Sequence, residues 1–256
     1  MNSLELKAAW RDGKVTVGTW IFEFCTPGIA RVLVSTGVDF VVYDQEHSAF
    51  GIDTVRGLLA ETRPLNLAAL VRPPSYEYHL IAPLLDAGAS GVIIPNVQDA
   101  KQARKIADAC RYTPCGQRGA AFALAHDDFL PGEVPAKMQA ANDAMICAVL
   151  IESVQGLETL EEIVAVEGVD LVWLGFLDLS LSMGIPGQYQ HPQFQQAVAR
   201  LLEVCKAHKK PAGILSNDPE QAKKYVQKGF QCISYGGDVW IFQRALSQGV
   251  QAIRQG

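Results

Sequence analysis

Short, almost unbroken apolar runs alternate with longer segments whose apolar residues recur every three or four positions, and the alternation repeats eight times along the chain. Apolar runs of strand length suit parallel strands covered on both faces, and the 3.6-residue period suits helices packed against them. The first four pairs are TVGTWIF (16–22) with TPGIARVLVSTG (26–37), FVVYDQEH (40–47) with GIDTVRGLLAETRP (51–64), AALVRPP (68–74) with YEYHLIAPLLDAG (76–88), and GVIIPNV (91–97) with DAKQARKIADAC (99–110). The second four are ICAVLIES (146–153) with LETLEEIVAVEG (157–168), DLVWLGFLDLS (170–180) with PQFQQAVARLLEVCKAHKK (192–210), PAGILS (211–216) with DPEQAKKYVQKGF (218–230), and CISYGG (232–237) with DVWIFQRALSQGVQAIRQ (238–255). Strands and helices in strict alternation predict an α/β fold, and the count of eight favours a closed (β/α)8 TIM barrel. No GxGxxG follows the first strand, which removes the main signature of an open dinucleotide-binding sheet.

Length and composition narrow the picture further. A chain of 256 residues, 49% of them hydrophobic, fits one barrel domain over residues 1–256. The net charge of -5, with no Lys/Arg run longer than two, gives no footprint for nucleic acid or an anionic membrane. The N-terminal MNSLELKAAWRDGK has neither the shape of a signal peptide nor the length of a membrane span, so the expected location is cytoplasmic. Six scattered cysteines without a CxxC pair read as reduced, small, buried apolar residues. The regular spacing breaks at 111–145 and again in the Gly/Pro-rich 180–191, connections long enough to act as lids or oligomer contacts.

In such a barrel the chemistry sits at the C-terminal ends of the strands. Polar residues expected there are Asp44, Glu46 and His47 after strand two, Arg72 after strand three, Glu152 after strand five and Asp178 at the end of strand six. Charges in an otherwise apolar core are costly unless paired or bound to metal. Glu152 and Asp178, one βα unit apart, would share a hard divalent cation through oxygen ligands. Asp44 beside His47 would orient the imidazole as a general base. The plain alternative is a structural ion-pair network, for example Arg72 against Asp44. No lysine ends a predicted strand, which argues against a Schiff-base aldolase. A phosphosugar lyase or isomerase finds some support in YGGDVW after strand eight, although Gly236 and Gly237 also suit a tight turn into the last helix. A non-catalytic keto-acid-binding barrel would have little use for both ligand carboxylates. Ser180 reads equally well as a helix cap or as part of a carboxylate-binding turn with Gly175 and Leu179.

The stretches YDQEH (43–47), VRPP (71–74), LLDAGASGVIIPNV (84–97), RYTPCGQRG (111–119), IES (151–153) and LGFLDLSLSMGIPGQ (174–188) together resemble the HpcH/HpaI aldolase family, metal-dependent pyruvate aldolases of the phosphoenolpyruvate/pyruvate barrel superfamily. The resemblance implies cleavage of a 4-hydroxy-2-oxo acid, of the 2-keto-3-deoxy sugar acid or 4-hydroxy-2-oxoheptanedioate type, to pyruvate and an aldehyde through a metal-stabilised enolate. It implies Mg²⁺ or Mn²⁺ (Co²⁺ as a further option) on Glu152 and Asp178, with Arg72 facing the keto oxygen, and His47 with Asp44 moving the proton. Glu46 would hold a metal-bound water or pair with a nearby cation. Gly175, Phe176, Leu177 and Asp178 would line the substrate, and Asp86 would reach a neighbouring subunit's pocket. A homohexamer, a trimer of dimers exchanging the last helix, is also implied, and that helix carries Val239, Trp240, Phe242, Leu246, Val250 and Ile253 on one broad apolar face. Three positions depart from the family pattern: Leu150, Phe176 and Cys115 stand where Gln, Pro and Arg are usual.

Overall fold

A computed structural model describes residues 1–255. Eight parallel strands follow one another in sequence order around a closed barrel: β1 (Thr16–Ile21), β2 (Phe40–Asp44), β3 (Ala68–Arg72), β4 (Gly91–Ile94), β5 (Ile146–Ile151), β6 (Leu171–Leu174), β7 (Ala212–Ser216) and β8 (Cys232–Gly237). Pairing of β8 with β1 closes the ring. The helices are α1 (Ser3–Arg11), α2 (Ile29–Ser35), α3 (Ile52–Thr62), α4 (Tyr78–Asp86), α5 (Ala100–Cys110), α6 (Val134–Ala144), α7 (Val154–Glu158), α8 (Leu160–Val164), α9 (Phe176–Ser182), α10 (Pro192–Ala207), α11 (Pro219–Lys228) and α12 (Asp238–Gln255). None is long and apolar enough to cross a membrane.

The continuous apolar runs have a direct cause in two cores. Leu70, Ile93, Ile146, Ala148, Leu171 and Trp173 fill the barrel interior, while the alternate positions Val71, Val92, Cys147, Val149 and Val172 pack outward against the helices. With both faces covered, β2 through β6 carry no exposed position. The N-terminal segment outside the eight pairs forms α1. Asn2 accepts from Glu5 N at 3.0 Å while Glu5 accepts from Asn2 N at 2.9 Å, a reciprocal cap. That helix delivers Leu6 and Trp10 into the interior at the N-terminal end of the strands.

Several sequence expectations change in detail. Strand six stops at Leu174, and the remainder of its apolar run is the short helix α9. The expected helix at 157–168 is split into α7 and α8 at Thr159. The 111–145 connection leaves the C-terminal end of α5 and enters β5, so it lies at the N-terminal face of the barrel and covers no site at the other end. Cys110, Cys147, Cys205 and Cys232 are buried as expected, whereas Cys25 and Cys115 are exposed. Gly236 adopts a φ of 65°, a left-handed conformation that glycine takes without strain, and so serves the tight turn into α12.

Candidate active site

Asp44 and Arg72 end adjacent strands in register. Asp44 is fully buried and accepts from Arg72 Nε at 2.5 Å, while Arg72, 7% exposed, places Nη1 2.9 Å from Glu46 Oε2. The guanidinium lies over the Trp20 ring, 4.4 Å from its centroid. Two carboxylates and an aromatic face thus fix its plane. Its Nη2 enters no hydrogen bond or ion pair among the described residues, and Arg72 lines the cavity at the strands' C-terminal ends.

The expected pairing of Asp44 with the His47 ring is corrected. Asp44 spends its second oxygen on the backbone N–H of His47, at 2.7 Å, which shapes the turn after β2. The carboxylate near the imidazole belongs to Glu46, with Oε2 3.8 Å from His47 Nε2. Of the two roles expected for Glu46, the structure shows the pairing with a nearby cation, namely Arg72. That contact is angled so that Oε2 remains buried without a hydrogen-bond partner. Burial raises the Glu46 carboxyl above its ordinary value against the opposing pull of Arg72 and His47, and Asp44 and Asp178 raise it further.

Glu152 directly follows β5 and is 7% exposed. Its Oε1 accepts from Asn96 N at 2.6 Å. A Cβ on Gly175 would stand 2.4 Å from Oε2, so only glycine lets the start of α9 approach this carboxylate. Burial first, then the charge of Glu46, and further the charge of Asp178, push Glu152 up to about 8. Asp178 lies in the first turn of α9 and not at the end of a strand, again a correction. It makes no hydrogen bond or ion pair among the described residues and opens onto the same cavity. An all-oxygen set of mutually repelling carboxylates, with an orphaned buried oxygen beside it, fits a hard divalent cation. No three His, Cys, Asp or Glu side chains among the described residues are close enough to enclose such an ion, so the two carboxylates would leave positions for other oxygen ligands.

The cavity is about 640 Å³ in volume. Gly175, Phe176, Leu177 and Asp178 line it, and Phe176 meets Tyr189 edge-on at 5.2 Å, so the 180–191 segment reaches the cavity. Ser180 caps nothing: it is buried within α9, donating to Leu177 O and accepting from Gly187 N, and Leu179 N is taken by Gly175 O. Asp86 ends α4 at the opposite end of the barrel, where it pairs with Arg118 at 2.7 Å, and a role in catalysis requires a second copy of the chain. Of the three departures from the family pattern, Leu150 and Phe176 line the cavity, while Cys115 lies in the turn after α5 at the far end.

Sequence reasoning missed the side chains that complete the cavity: Trp20, Phe22, Tyr189, Leu215, Asn217 and Trp240. It also missed Asp238, which accepts from the backbone N–H groups of Phe22, Glu23 and Phe24 at 2.7–3.0 Å and ties the end of β1 to the start of α12. An Asp opening a helix straight after two glycines was the available signal. Asp238→Ala would strip those donors of their acceptor, and a loss of stability on the order of 3 kcal/mol is expected. Urea unfolding checks this, and a midpoint unchanged from wild type would contradict it.

Comparison with known proteins identifies the family and the fold. The family model for HpcH/HpaI aldolase/citrate lyase matches residues 21–245. The chain is 32% identical to a 2-keto-3-deoxy-L-rhamnonate aldolase of Shigella sonnei, covering 100% of this chain and 96% of that protein. It is 35% identical to a 4-hydroxy-2-oxo-heptane-1,7-dioate aldolase of Shigella flexneri, covering 93% and 89%. The solved HpcH/HpaI aldolase of Desulfitobacterium hafniense superposes with a TM-score of 0.93 at 30% identity, over 98% of this chain and 97% of that one. A barrel whose polar strand ends gather beside one cavity, matched over nearly its whole length by aldolases of this kind, is a carbon–carbon lyase, and the chain belongs to the HpcH/HpaI aldolase/citrate lyase family.

Proposed function

We propose that this chain reversibly cleaves a 4-hydroxy-2-oxo acid to pyruvate and an aldehyde, with Glu152 and Asp178 holding Mg²⁺ or Mn²⁺. The observation that carries the reading is the placement of one immobilised guanidinium and two otherwise uncompensated carboxylates on a single cavity. Both relatives named above are aldolases of 4-hydroxy-2-oxo acids, which supports the substrate class. A divalent cation between Glu152 and Asp178 would supply Lewis-acid polarisation of the 2-oxo acid.

The chain's own groups account for the rest. Cleavage leaves the electron pair of the broken carbon–carbon bond on the pyruvate fragment as an enolate. Arg72, held by Asp44, Glu46 and Trp20, offers a charge that needs no reorganisation as that negative charge develops. His47 takes the proton of the 4-hydroxyl in cleavage and returns it in addition, with Glu46 rather than Asp44 beside its ring. The Gly175–Asp178 turn, with Leu150 and Trp173 beneath it, walls off the pyruvate half.

Assembly as a homo-oligomer, a hexamer built as a trimer of dimers, is part of the same reading. Phe242, Leu246, Val250 and Ile253 of α12 are exposed on a single chain, an apolar face that a second copy would cover. Such an assembly would also be the way for Asp86 to reach a site.

The test is pyruvate release from 4-hydroxy-2-oxo acids by protein stripped with EDTA and then resupplied with metal. Activity that falls at least a hundredfold on stripping and returns with Mg²⁺ or Mn²⁺ is expected, and activity indifferent to EDTA would overturn the metal assignment.

A further inference from the structure

The cavity has two unlike halves. Strand order places His47 (after β2), Arg72 (β3), Glu152 (after β5) and Asp178 (after β6) on one arc of the ring, and the closing strands β7, β8 and β1 on the other. That second arc contributes Leu215, Val239, Trp240, Phe22 and Trp20, its polar groups being the Asn217 amide and the indole N–H groups, of which Trp20 Nε1 is buried without a partner. Its aromatic members form a continuous layer. Phe22 stacks on Trp20 at 5.8 Å with 13° between the planes, and meets Trp240 at 5.1 Å. The layer is anchored from behind, because Asp238 holds the backbone N–H of Phe22 at 3.0 Å and a Cβ on Gly237 would stand 2.7 Å from the Phe22 ring.

Charge is unevenly spread over the lining as well, with Trp20 at the boundary, one face under the Arg72 guanidinium. Arg72 is the one lysine or arginine among the described residues lining the cavity, and Asp44 and Glu46 already engage it. The remaining His, Asp and Glu side chains on the lining are those of His47, Glu152 and Asp178, all on the first arc. Against this chain's own wall, an aldehyde bearing a carboxylate would therefore find no counter-ion, and a polyhydroxylated one would leave most of its hydroxyls against rings.

We infer that the acceptor half of this site selects an uncharged aldehyde with a branched aliphatic or aromatic group, with Phe22 and Trp240 as the specificity-determining surface and Trp20, held between Arg72 and Phe22, as its boundary with the pyruvate half. The inference rests on the aldolase reading above. In the addition direction the pyruvate methyl carbon loses a proton and bonds to the aldehyde carbon, and the aldehyde oxygen gains a proton, so no further reactant is needed. The apolar tail then lies along the layer, away from the metal-ligand carboxylates.

The experiment uses the metal-loaded full chain with pyruvate and three aldehydes: 4-methylpentanal, its near-isostere succinic semialdehyde, in which a carboxylate replaces the isopropyl group, and glyceraldehyde. Pyruvate methyl-proton exchange in D₂O is followed in parallel. The expected result is exchange together with a kcat/KM at least tenfold higher for 4-methylpentanal than for either other aldehyde, the scale set by burying one branched apolar group. Exchange with succinic semialdehyde or glyceraldehyde preferred overturns this inference and leaves the aldolase reading standing. Absence of both exchange and addition overturns both. Trp240→Arg, which places a cation in the layer, is expected to lower the ratio of 4-methylpentanal to succinic semialdehyde at least tenfold, and an unchanged ratio removes Trp240 from the specificity surface. A measurement without turnover completes the test: 7-methyl-2-oxooctanoate should bind at least tenfold more tightly than 2-oxoheptanedioate, and the opposite order contradicts the inference.

Discussion

Glu152→Gln and Asp178→Asn each lower metal-dependent pyruvate release by about a thousandfold or more, with no loss of folding. Each replacement keeps the shape of the side chain and removes the charge a divalent cation requires. Gln at 152 can still accept the hydrogen bond that Asn96 N donates at 2.6 Å, so the end of β5 stays in place. The variants also separate a ligand from a structural ion pair. Burial and the neighbouring carboxylates push Glu152 up to about 8 from 4.5, so its ionised form is unfavourable in the folded, metal-free protein. The unfolded chain gives up that proton near 4.5 and the folded chain only near 8, so this group's contribution to stability falls as pH rises between those values. Metal-free Glu152→Gln lacks that loss, and its melting temperature is expected to match or exceed wild type at pH 8. A structural ion pair behaves oppositely, since breaking it lowers the melting temperature. Retention of full metal-dependent activity by either variant would sink the assignment. Activity assays and thermal melts on the same preparations decide between the two accounts.

The architecture was readable from the chain because a parallel barrel imposes apolar residues on both faces of every strand, and β2 through β6 show this as runs without a single exposed position. The same rule exposed Asp44, Arg72 and Glu152, polar residues at the ends of runs that tolerate none. Asp178 was found for a less secure reason. LGFLDLS is as apolar as a strand, and periodicity does not tell a seven-residue helix, of which only Leu179 and Ser180 are buried, from the end of β6. His47 was given the wrong partner because sequence proximity to Asp44 says nothing of where the carboxylate points once Arg72, 28 residues later, claims one oxygen and the His47 backbone the other. The aromatic layer was illegible for a related reason. Phe22 and Asp238 are 216 residues apart and meet only because the barrel closes. α1 escaped notice because it belongs to no strand–helix pair, although Asn2 and Glu5 at capping-box spacing announce its start.

Arg72→Lys lowers kcat by about a hundredfold to a thousandfold, although the positive charge is kept. The reason lies in how many partners one side chain satisfies at once. Arg72 directs Nε to Asp44 at 2.5 Å, brings Nη1 to 2.9 Å from Glu46, lays its plane over Trp20 and has Nη2 still uncommitted. A lysine carries its charge on one nitrogen at the end of a flexible stem. Asp44, fully buried, draws that ammonium inward, because an unpaired carboxylate there is costly, and the substrate oxygen then loses its donor. Glu46 loses its cation as well, which alters the surroundings of His47 3.8 Å away. The loss should fall on kcat more than on KM, since the interaction strengthens as negative charge develops on the pyruvate fragment. Metal dependence should persist in Arg72→Lys, with residual activity still abolished by EDTA, which distinguishes it from the Glu152 and Asp178 variants. Added guanidinium ion is expected to restore part of the activity of Arg72→Ala and none of that of Glu152→Gln. An Arg72→Lys enzyme within a fewfold of wild type would show that the Asp44–Arg72 pair serves the fold alone, and the enolate would then need another source of stabilisation in the cavity.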